Sequence, residues 1–480
     1  MQVVGCNRYP KPDMNRKSFC RTIFIGFFLL FLLRNPAVSQ QSEPVFKDGD
    51  KVCFVGNSIT NNSQFYNFVN LYYATRYPER KVVFINCGIS GDVTQGIINR
   101  METDILVHKP TWSVLMIGMN DVNRGLYARS RANEAGIEEK KQAALDLYQK
   151  NLEIIVPKLL EDGRKLILQK PSIYDQTGEM ATENLFGVND ALKKCAELTQ
   201  VLASKYHLKV VDYWTVLSEV NKTVQQKEPK ATIIGPDRVH PAAPGHLVMA
   251  YEFLKSTGAS EFVSKMVIDN DLKESDAKSI NCVIKDIVQK KGAIQFSAKE
   301  GSLPFPVALD AEPALALVNF TERFNREILQ IENISSGNYR LSIDDAEVGT
   351  FTSQNLKEGI NLALIKNTPQ YQQAVKIMDL YSEYRQTQSK YRNIVTMEIH
   401  HLPDSLKTAS HETMEAFFAR RLEEKYKTSP QYNYYKGQFA SYLSNKLKQD
   451  EIEKALPRII EQVYQSNKPV FHTFKLLKKD

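Results

Sequence analysis

Lys51-Val52-Cys53-Phe54-Val55-Gly56-Asn57-Ser58-Ile59-Thr60 joins a short apolar run to a serine across a glycine, and its reading decides the fold. The run is of β type and stops at Gly56, and helix-compatible sequence follows from about Ser63, so Ser58 falls on a strand-to-helix turn. The same grammar recurs along the chain. Val82 to Ile85 breaks at Asn86-Cys87-Gly88, Ser113 to Ile117 breaks at Gly118, and Leu166 to Leu168 and Lys209 to Val211 give a fourth and a fifth run. Between them, Lys140 to Leu160 and Asn189 to Tyr206 place apolar residues at three- and four-residue intervals, the period of a helix. Strands alternating with helices predict an α/β fold, a mainly parallel sheet with helices on both faces. In open sheets of that kind the ligand crevice lies outside the carboxyl ends of the strands.

Three polar blocks fall at those ends: Gly56-Asn57-Ser58-Ile59-Thr60, Ser90-Gly91-Asp92 and Gly118-Met119-Asn120-Asp121. A fourth, Asp237-Arg238-Val239-His240-Pro241, lies in a segment rich in Gly and Pro and reads as a stiff loop. Together they supply a nucleophile, donors for an oxyanion, and an acid/base pair. A serine hydroxyl is a poor nucleophile at neutral pH and needs an imidazole to take its proton, and that imidazole needs a carboxylate on its other nitrogen. Each block alone has a bland reading. Ser58 fits an N-cap, Asn120-Asp121 a turn after a strand, and Gly91 a site of relieved backbone strain. His240 fits a loop histidine, a description that suits His246 better. Four such coincidences in one order are harder to explain than one site.

The ordered set resembles the SGNH (GDSL-type) hydrolase superfamily of esterases and lipases, over about Gly49 to Lys255. The resemblance implies a three-layer, flavodoxin-like domain with Ser58 as nucleophile, His240 as general base and Asp237 as the triad acid. The oxyanion hole would be the backbone N–H groups of Ser58 and Gly91 with the side-chain amide of Asn120. One departure is that Asn57 stands where the family has Asp, a position outside the triad. The Gly-x-Ser-x-Gly elbow of the α/β-hydrolases is absent at Ser58, which separates the two esterase folds.

Loops expected to rim the crevice nominate Asn123, Arg124, Tyr174 and Arg238 as substrate contacts, and Leu303-Pro304-Phe305-Pro306 as a wall of the site. No cofactor is expected, since no phosphate-cradling glycine loop occurs. No metal is expected either. His400-His401 and His411 lack ligands at a recognised spacing, and Glu415 stands where a His-Glu-x-x-His motif needs its second histidine.

The N-terminus carries Arg16, Lys17 and Arg21, the apolar stretch Thr22 to Leu33, and Ala37-Val38-Ser39. This reads as a signal peptide over residues 1–39 with cleavage after Ser39, so the protein is expected to be secreted or periplasmic. The apolar run falls short of the roughly 20 residues that span a bilayer, and no cysteine follows it, so no membrane anchor is expected. Met14 reads as an alternative start. Residues 1–39 hold six Lys or Arg and one Asp, so they account for five of the seven excess positive charges. With so little net charge remaining, nucleic acid is not expected as a partner. Cys53, Cys87, Cys195 and Cys282 remain, without a framework spacing that requires a bridge.

The pattern changes after the hydrolase-like region, taken as residues 40–257. Residues 258–365 read as a small β-rich unit, a sandwich by its strand-like alternation, with a hairpin around Asp344-Asp345 and a helical or irregular stretch from Pro313 to Gln330. Residues 366–480 read as helical, with Tyr381, Tyr384, Tyr391 and Ile394 on one stripe, most simply a core face. The expected activity is hydrolysis of a carboxylic ester through an acyl-enzyme, with an acylated carbohydrate, above all an acetyl ester, as substrate. A lipid or lysophospholipid ester, transfer of the acyl group to a sugar hydroxyl, and glycan binding without catalysis are the alternatives.

Overall fold

The computed structural model describes residues 43–269 and 278–479; the expected signal peptide lies outside them. Five parallel strands form the first sheet: β1 (Lys51–Gly56), β2 (Val83–Gly88), β3 (Trp112–Met116), β4 (Lys165–Gln169) and β5 (Lys209–Val211). Their order is β2-β1-β3-β4-β5, with Gly56 level with both Gly88 and Met116. This is the flavodoxin-like order, in which the chain leaves β1 toward one edge and returns to its other side as β3. The three motif-bearing loops therefore converge at the switch point between β1, β2 and β3.

The helices follow from burial. α1 (Ser58–Asn62), α2 (Gln64–Arg76), α3 (Thr94–Arg100), α4 (Ile137–Leu160), α5 (Val188–Lys205), α6 (Tyr213–Lys227) and α7 (Ala243–Ser256) complete the first region. α3, α4 and α5 pack side by side, and α2 packs on α7, which packs on α6, so the sheet is sandwiched as the alternation predicts. β1, β3 and β4 are buried on both faces, which is why they read as near-continuous apolar runs, while the edge strands β2 and β5 are partly exposed.

Beyond α7 stand β6 (Phe262–Asp269), β7 (Cys282–Lys290), β8 (Ala293–Glu300), α8 (Phe320–Phe324), β9 (Arg326–Glu332), β10 (Asn338–Ile343), β11 (Ala346–Thr352), α9 (Ser353–Glu358) and β12 (Ile360–Asn361). Then come α10 (Pro369–His400), α11 (His411–Arg421), α12 (Tyr432–Lys446), α13 (Gln449–Ser466) and β13 (His472–Lys479). A sheet ordered β11-β10-β13-β8-β7 and a smaller one ordered β12-β9-β6 share a core that includes Phe296, Phe474, Leu341, Met266 and Leu329. The β10–β11 hairpin turns at Asp344 and Asp345, both with positive φ, as a two-residue hairpin turn requires.

The structure departs from the sequence reading in three places here. The stretch Pro313 to Gln330 is helical only to Phe324, and β9 begins at Arg326. The C-terminal region is helical except at its end, where β13 inserts between β10 and β8 of the second sheet. Leu303 to Pro306 is no wall of the crevice. The Leu303 N–H donates to Thr75 O at 2.8 Å and Phe305 packs on Tyr72 and Phe320, near the far end of α2 from Ser58.

β2 is the edge strand of the parallel sheet, and an open edge leaves carbonyls without partners. α10 supplies them. Tyr384 Oη donates to Phe84 O at 3.0 Å, Gln388 Nε2 to the same oxygen at 3.4 Å, and Arg392 Nη2 to Gly88 O at 3.0 Å. Tyr381 and Tyr384 are buried on this face, as a core stripe requires, while Tyr391 is half-buried.

Candidate active site

Ser58 opens α1 directly after the strand end, and Asn57 caps that helix, its Oδ1 accepting from Ile59 N–H at 3.1 Å. An amide oxygen serves here as a carboxylate would, so the departure at position 57 leaves the turn intact. The turn is tight. A Cβ on Gly88 would sit 2.3 Å from Asn61 N, so only glycine lets β2 run under α1.

Ser58 Oγ lies 2.7 Å from His240 Nε2, although 182 residues separate them in sequence. His240 Nδ1 lies 2.5 Å from Asp237 Oδ2, while Asp237 Oδ1 accepts the N–H groups of Val239 and His240 at 3.0 Å each. Partial burial raises the Asp237 pKa, but the His240 side chain and these two N–H donors outweigh it and hold the carboxyl well below the usual range. An ionised Asp237 accepts from Nδ1–H, which leaves the Nε2 lone pair facing the serine hydroxyl.

The Asp237–His240 loop is closed on itself by Gly235 N–H to His240 O (2.6 Å) and by pairing of Ile234 with Pro241. Arg238 fastens it. Its buried guanidinium donates to the carbonyls of Asp175, Gly178, Met180 and Thr182 at 2.8 to 3.1 Å. Four of its five donors are thus used within the protein, and the expectation of Arg238 as a substrate contact is corrected to a loop anchor. Tyr174 is corrected likewise. It is 2% exposed, and its hydroxyl donates to Glu183 O and accepts from Leu185 N–H. His246 is no loop histidine either: it is buried in α7 with its ring stacked on Phe65, and burial pushes its pKa down to about 3.

Gly91 adopts φ +82°, a left-handed backbone open to glycine, and a Cβ there would meet nothing within 4 Å. Asn120 Nδ2 donates to Asp92 O at 2.9 Å, tying the third block to the second and leaving its other amide hydrogen for a further acceptor. Asp121 accepts from the N–H and the hydroxyl of Thr94 at 2.7 Å each. It thereby caps α3, whose own N-cap residue, Val93, offers no side-chain acceptor. Burial pushes Asp121 up to about 6.

A groove of about 460 Å³ opens beside Asn120, lined by Val93, Thr94, Asp121, Asn123 and Tyr148 among others. Asn123 is exposed at its edge. Arg124 is half-buried, and its Nη1 is buried without a hydrogen-bond partner among the described residues. Burial lowers the Arg124 pKa, and Asp237 and Tyr174 act against that. Among the described residues no group of three or more His, Cys, Asp or Glu is arranged to hold a metal ion, and no helix is long and apolar enough to cross a membrane.

Sequence reasoning named Asp92 in the second block without a role and missed Arg100, Asp104 and Arg392, which with it form one buried chain of charges under the crevice. The available signal was an arginine at position 392 on the buried stripe of a helix otherwise read as a core face.

Residues 54–248 match the profile of the GDSL-like lipase/acylhydrolase family. An acetylxylan esterase from Geobacillus stearothermophilus is 28% identical over 228 residues, which cover 44% of this chain and 94% of that protein. A solved structure of a gut microbial diltiazem-metabolizing enzyme is similar far beyond that region. It has a TM-score of 0.81 and 28% identity, and the match covers 92% of this chain and all of that one. These similarities support an SGNH ester hydrolase, with the family-matched segment at residues 54–248.

Proposed function

We propose that the chain is a serine esterase that removes small acyl groups, above all acetyl, from a carbohydrate. The observation that carries the serine mechanism is the unbroken contact from Asp237 through His240 to Ser58 Oγ. In the proposed reaction His240 Nε2 takes the hydroxyl proton as Oγ adds to the ester carbonyl. The resulting oxyanion accepts from the N–H groups of Ser58 and Gly91 and from Asn120 Nδ2. Collapse breaks the acyl–oxygen bond, and the proton held on His240 leaves with the alcohol. Water then enters, loses a proton to His240, attacks the acyl carbonyl and regenerates the Ser58 hydroxyl as the carboxylic acid departs.

The acetyl-carbohydrate reading draws on the acetylxylan esterase relative and on the open groove beside Asn120, whose lining includes Gln95, Asn123 and Lys140 as partners for a hydroxylated alcohol portion. Asn123 and Arg124 are the proposed contacts to that alcohol. Export directed by residues 1–39 belongs to the same proposal.

The test is hydrolysis of p-nitrophenyl acetate, butyrate and octanoate, with acetylated xylooligosaccharides and diltiazem as further substrates, beside Ser58→Ala. The expected result is turnover that falls with chain length and drops on the order of 10⁴ to 10⁶-fold in the variant. Hydrolysis that survives Ser58→Ala would remove the serine mechanism. A preference for octanoate would instead favour a lipid ester.

A further inference from the structure

We propose that Arg392, on the C-terminal helix α10, is a positioning residue for the oxyanion hole, so that chemistry at Ser58 depends on a part of the chain outside the family-matched segment. The proposal rests on the assignment of Ser58, Gly91 and Asn120 to the reacting centre.

Arg392 is 1% exposed and all its contacts lead toward the crevice floor. Nε and Nη2 donate to Gly88 O at 3.2 and 3.0 Å, three residues before Gly91. Nη1 and Nη2 hold Asp104 in a fork, at 2.6 and 2.9 Å. Asp104 Oδ2 also takes Arg100 Nη1 at 2.5 Å. Arg100 in turn holds Asp92 Oδ2 through Nε at 2.9 Å and reaches Gly56 O through Nη2 at 3.3 Å. Asp92 follows Gly91, and its carbonyl carries the Asn120 amide. One line of alternating charges thus touches the loop of every proposed oxyanion donor. A second arginine of α10 acts on the nucleophile helix directly: Arg385 Nε and Nη2 donate to Asn62 O and Asn62 Oδ1 at 2.9 and 2.8 Å.

The charges alternate, minus, plus, minus, plus, and they cancel. Removing the Arg392 guanidinium leaves Asp104 in a buried site with Arg100 alone, and a buried, partly paired carboxylate draws its remaining cation toward it. Arg100 then shifts off Asp92 and Gly56 O, and the Gly91 and Asn120 donors move with Asp92. A displacement of about 1 Å at such donors costs on the order of 100-fold in rate while leaving ground-state binding nearly unchanged. Removing Asp104 together with Arg392 takes out both charges, so the Asp92–Arg100 pair is left balanced.

The experiment compares R392M, R392K and the double variant R392M/D104N with the unaltered chain, all as residues 40–480. Active sites are first titrated with a p-nitrophenyl phosphonate that phosphonylates the serine of serine hydrolases with release of p-nitrophenolate, and kcat and KM for p-nitrophenyl acetate are expressed per titrated site. The expected result for R392M is a kcat per site lower by about 100-fold with KM within about twofold. R392K, which keeps the charge and loses the fork, falls between, and R392M/D104N recovers at least about tenfold over R392M. A merely structural role changes the number of titratable sites or the melting temperature and leaves kcat per site alone, and that outcome overturns the proposal. So does a double variant no better than R392M. If R392M yields no folded protein, R392K and the double variant decide by the same per-site comparison. Peptide mapping of the phosphonate on the unaltered chain tests the underlying assignment by itself, since label away from Ser58 rejects the centre whatever the Arg392 variants do.

Discussion

Asp104 beneath the crevice and Glu327 in the β-rich region are both buried carboxyls, and their surroundings drive them in opposite directions. Burial raises the Asp104 pKa, but the guanidinium groups of Arg392 and Arg100 outweigh it and bring the acid below its ordinary value. At Glu327 a single guanidinium, that of Arg76, acts this way and is outweighed. Burial raises Glu327 well above its ordinary value, and the neighbouring Glu300, itself raised by burial, adds to the effect. Neither Glu327 oxygen has a hydrogen-bond donor among the described residues, while Glu300 takes Gln370 Nε2 at 3.1 Å. Asp104 is held toward its ionised form by ion pairs on which the loop geometry depends, whereas burial, with repulsion from Glu300 at Glu327, favours the protonated form at Glu327 and Glu300.

The largest expected effects fall on the ionised side. Asp237→Asn leaves the fold intact and favours the wrong His240 tautomer, so kcat for p-nitrophenyl acetate drops about 10⁴-fold. Asn120→Ala removes one oxyanion donor and costs about 100 to 1,000-fold in kcat. Equal effects of the two substitutions on KM and kcat would mean that they disturb binding and not the transition state.

On the other side the expected effect is on stability and has a definite sign. A raised carboxyl pKa contributes stability that is fully present below the unfolded value, near 4.3 for Glu, and is lost as pH rises through the folded value. Asp104 and Asp237 act the other way, contributing above the unfolded value, near 3.9, and losing it as pH falls through their depressed values. Melting temperature therefore falls at both ends of the pH range, and Glu327→Gln removes part of the alkaline fall without changing kcat. An unchanged alkaline limb in that variant would break the comparison.

The same division governs what the sequence disclosed. The residues in contact around Ser58 announce themselves because their chemistry needs particular types at strand ends, and strand ends are visible as apolar runs stopped by glycine. β1, β2 and β3 were legible for that reason, and β4 and β5 by their apolar runs alone. β9 was not, although Arg326 to Glu332 alternates strictly between half-buried and buried positions. It follows directly on a short helix and pairs with β6, some sixty residues earlier. β13 lies after four helices and pairs with residues about 130 to 180 positions away, so no local turn marks its register. Arg392 belongs to the same class. Its partners Gly88 and Asp104 are about 300 residues distant, and an arginine on a helix reads as surface until the buried face is known. Tyr174 and Arg238 illustrate the converse, since polar residues on a loop beside a site read as contacts to substrate when they in fact hold that loop together.

An acyl group is expected to pass through Ser58, and trapping it there is the sharpest experiment. Chain 40–480 mixed with p-nitrophenyl acetate and quenched in acid within the first turnover is digested and its peptides weighed. The expected product is a peptide containing Ser58 heavier by one acetyl group, formed with a matching burst of p-nitrophenol and absent from Ser58→Ala. An acetyl group on another residue, or full turnover with no burst and no labelled peptide in the unaltered chain together with undiminished turnover in Ser58→Ala, would contradict it.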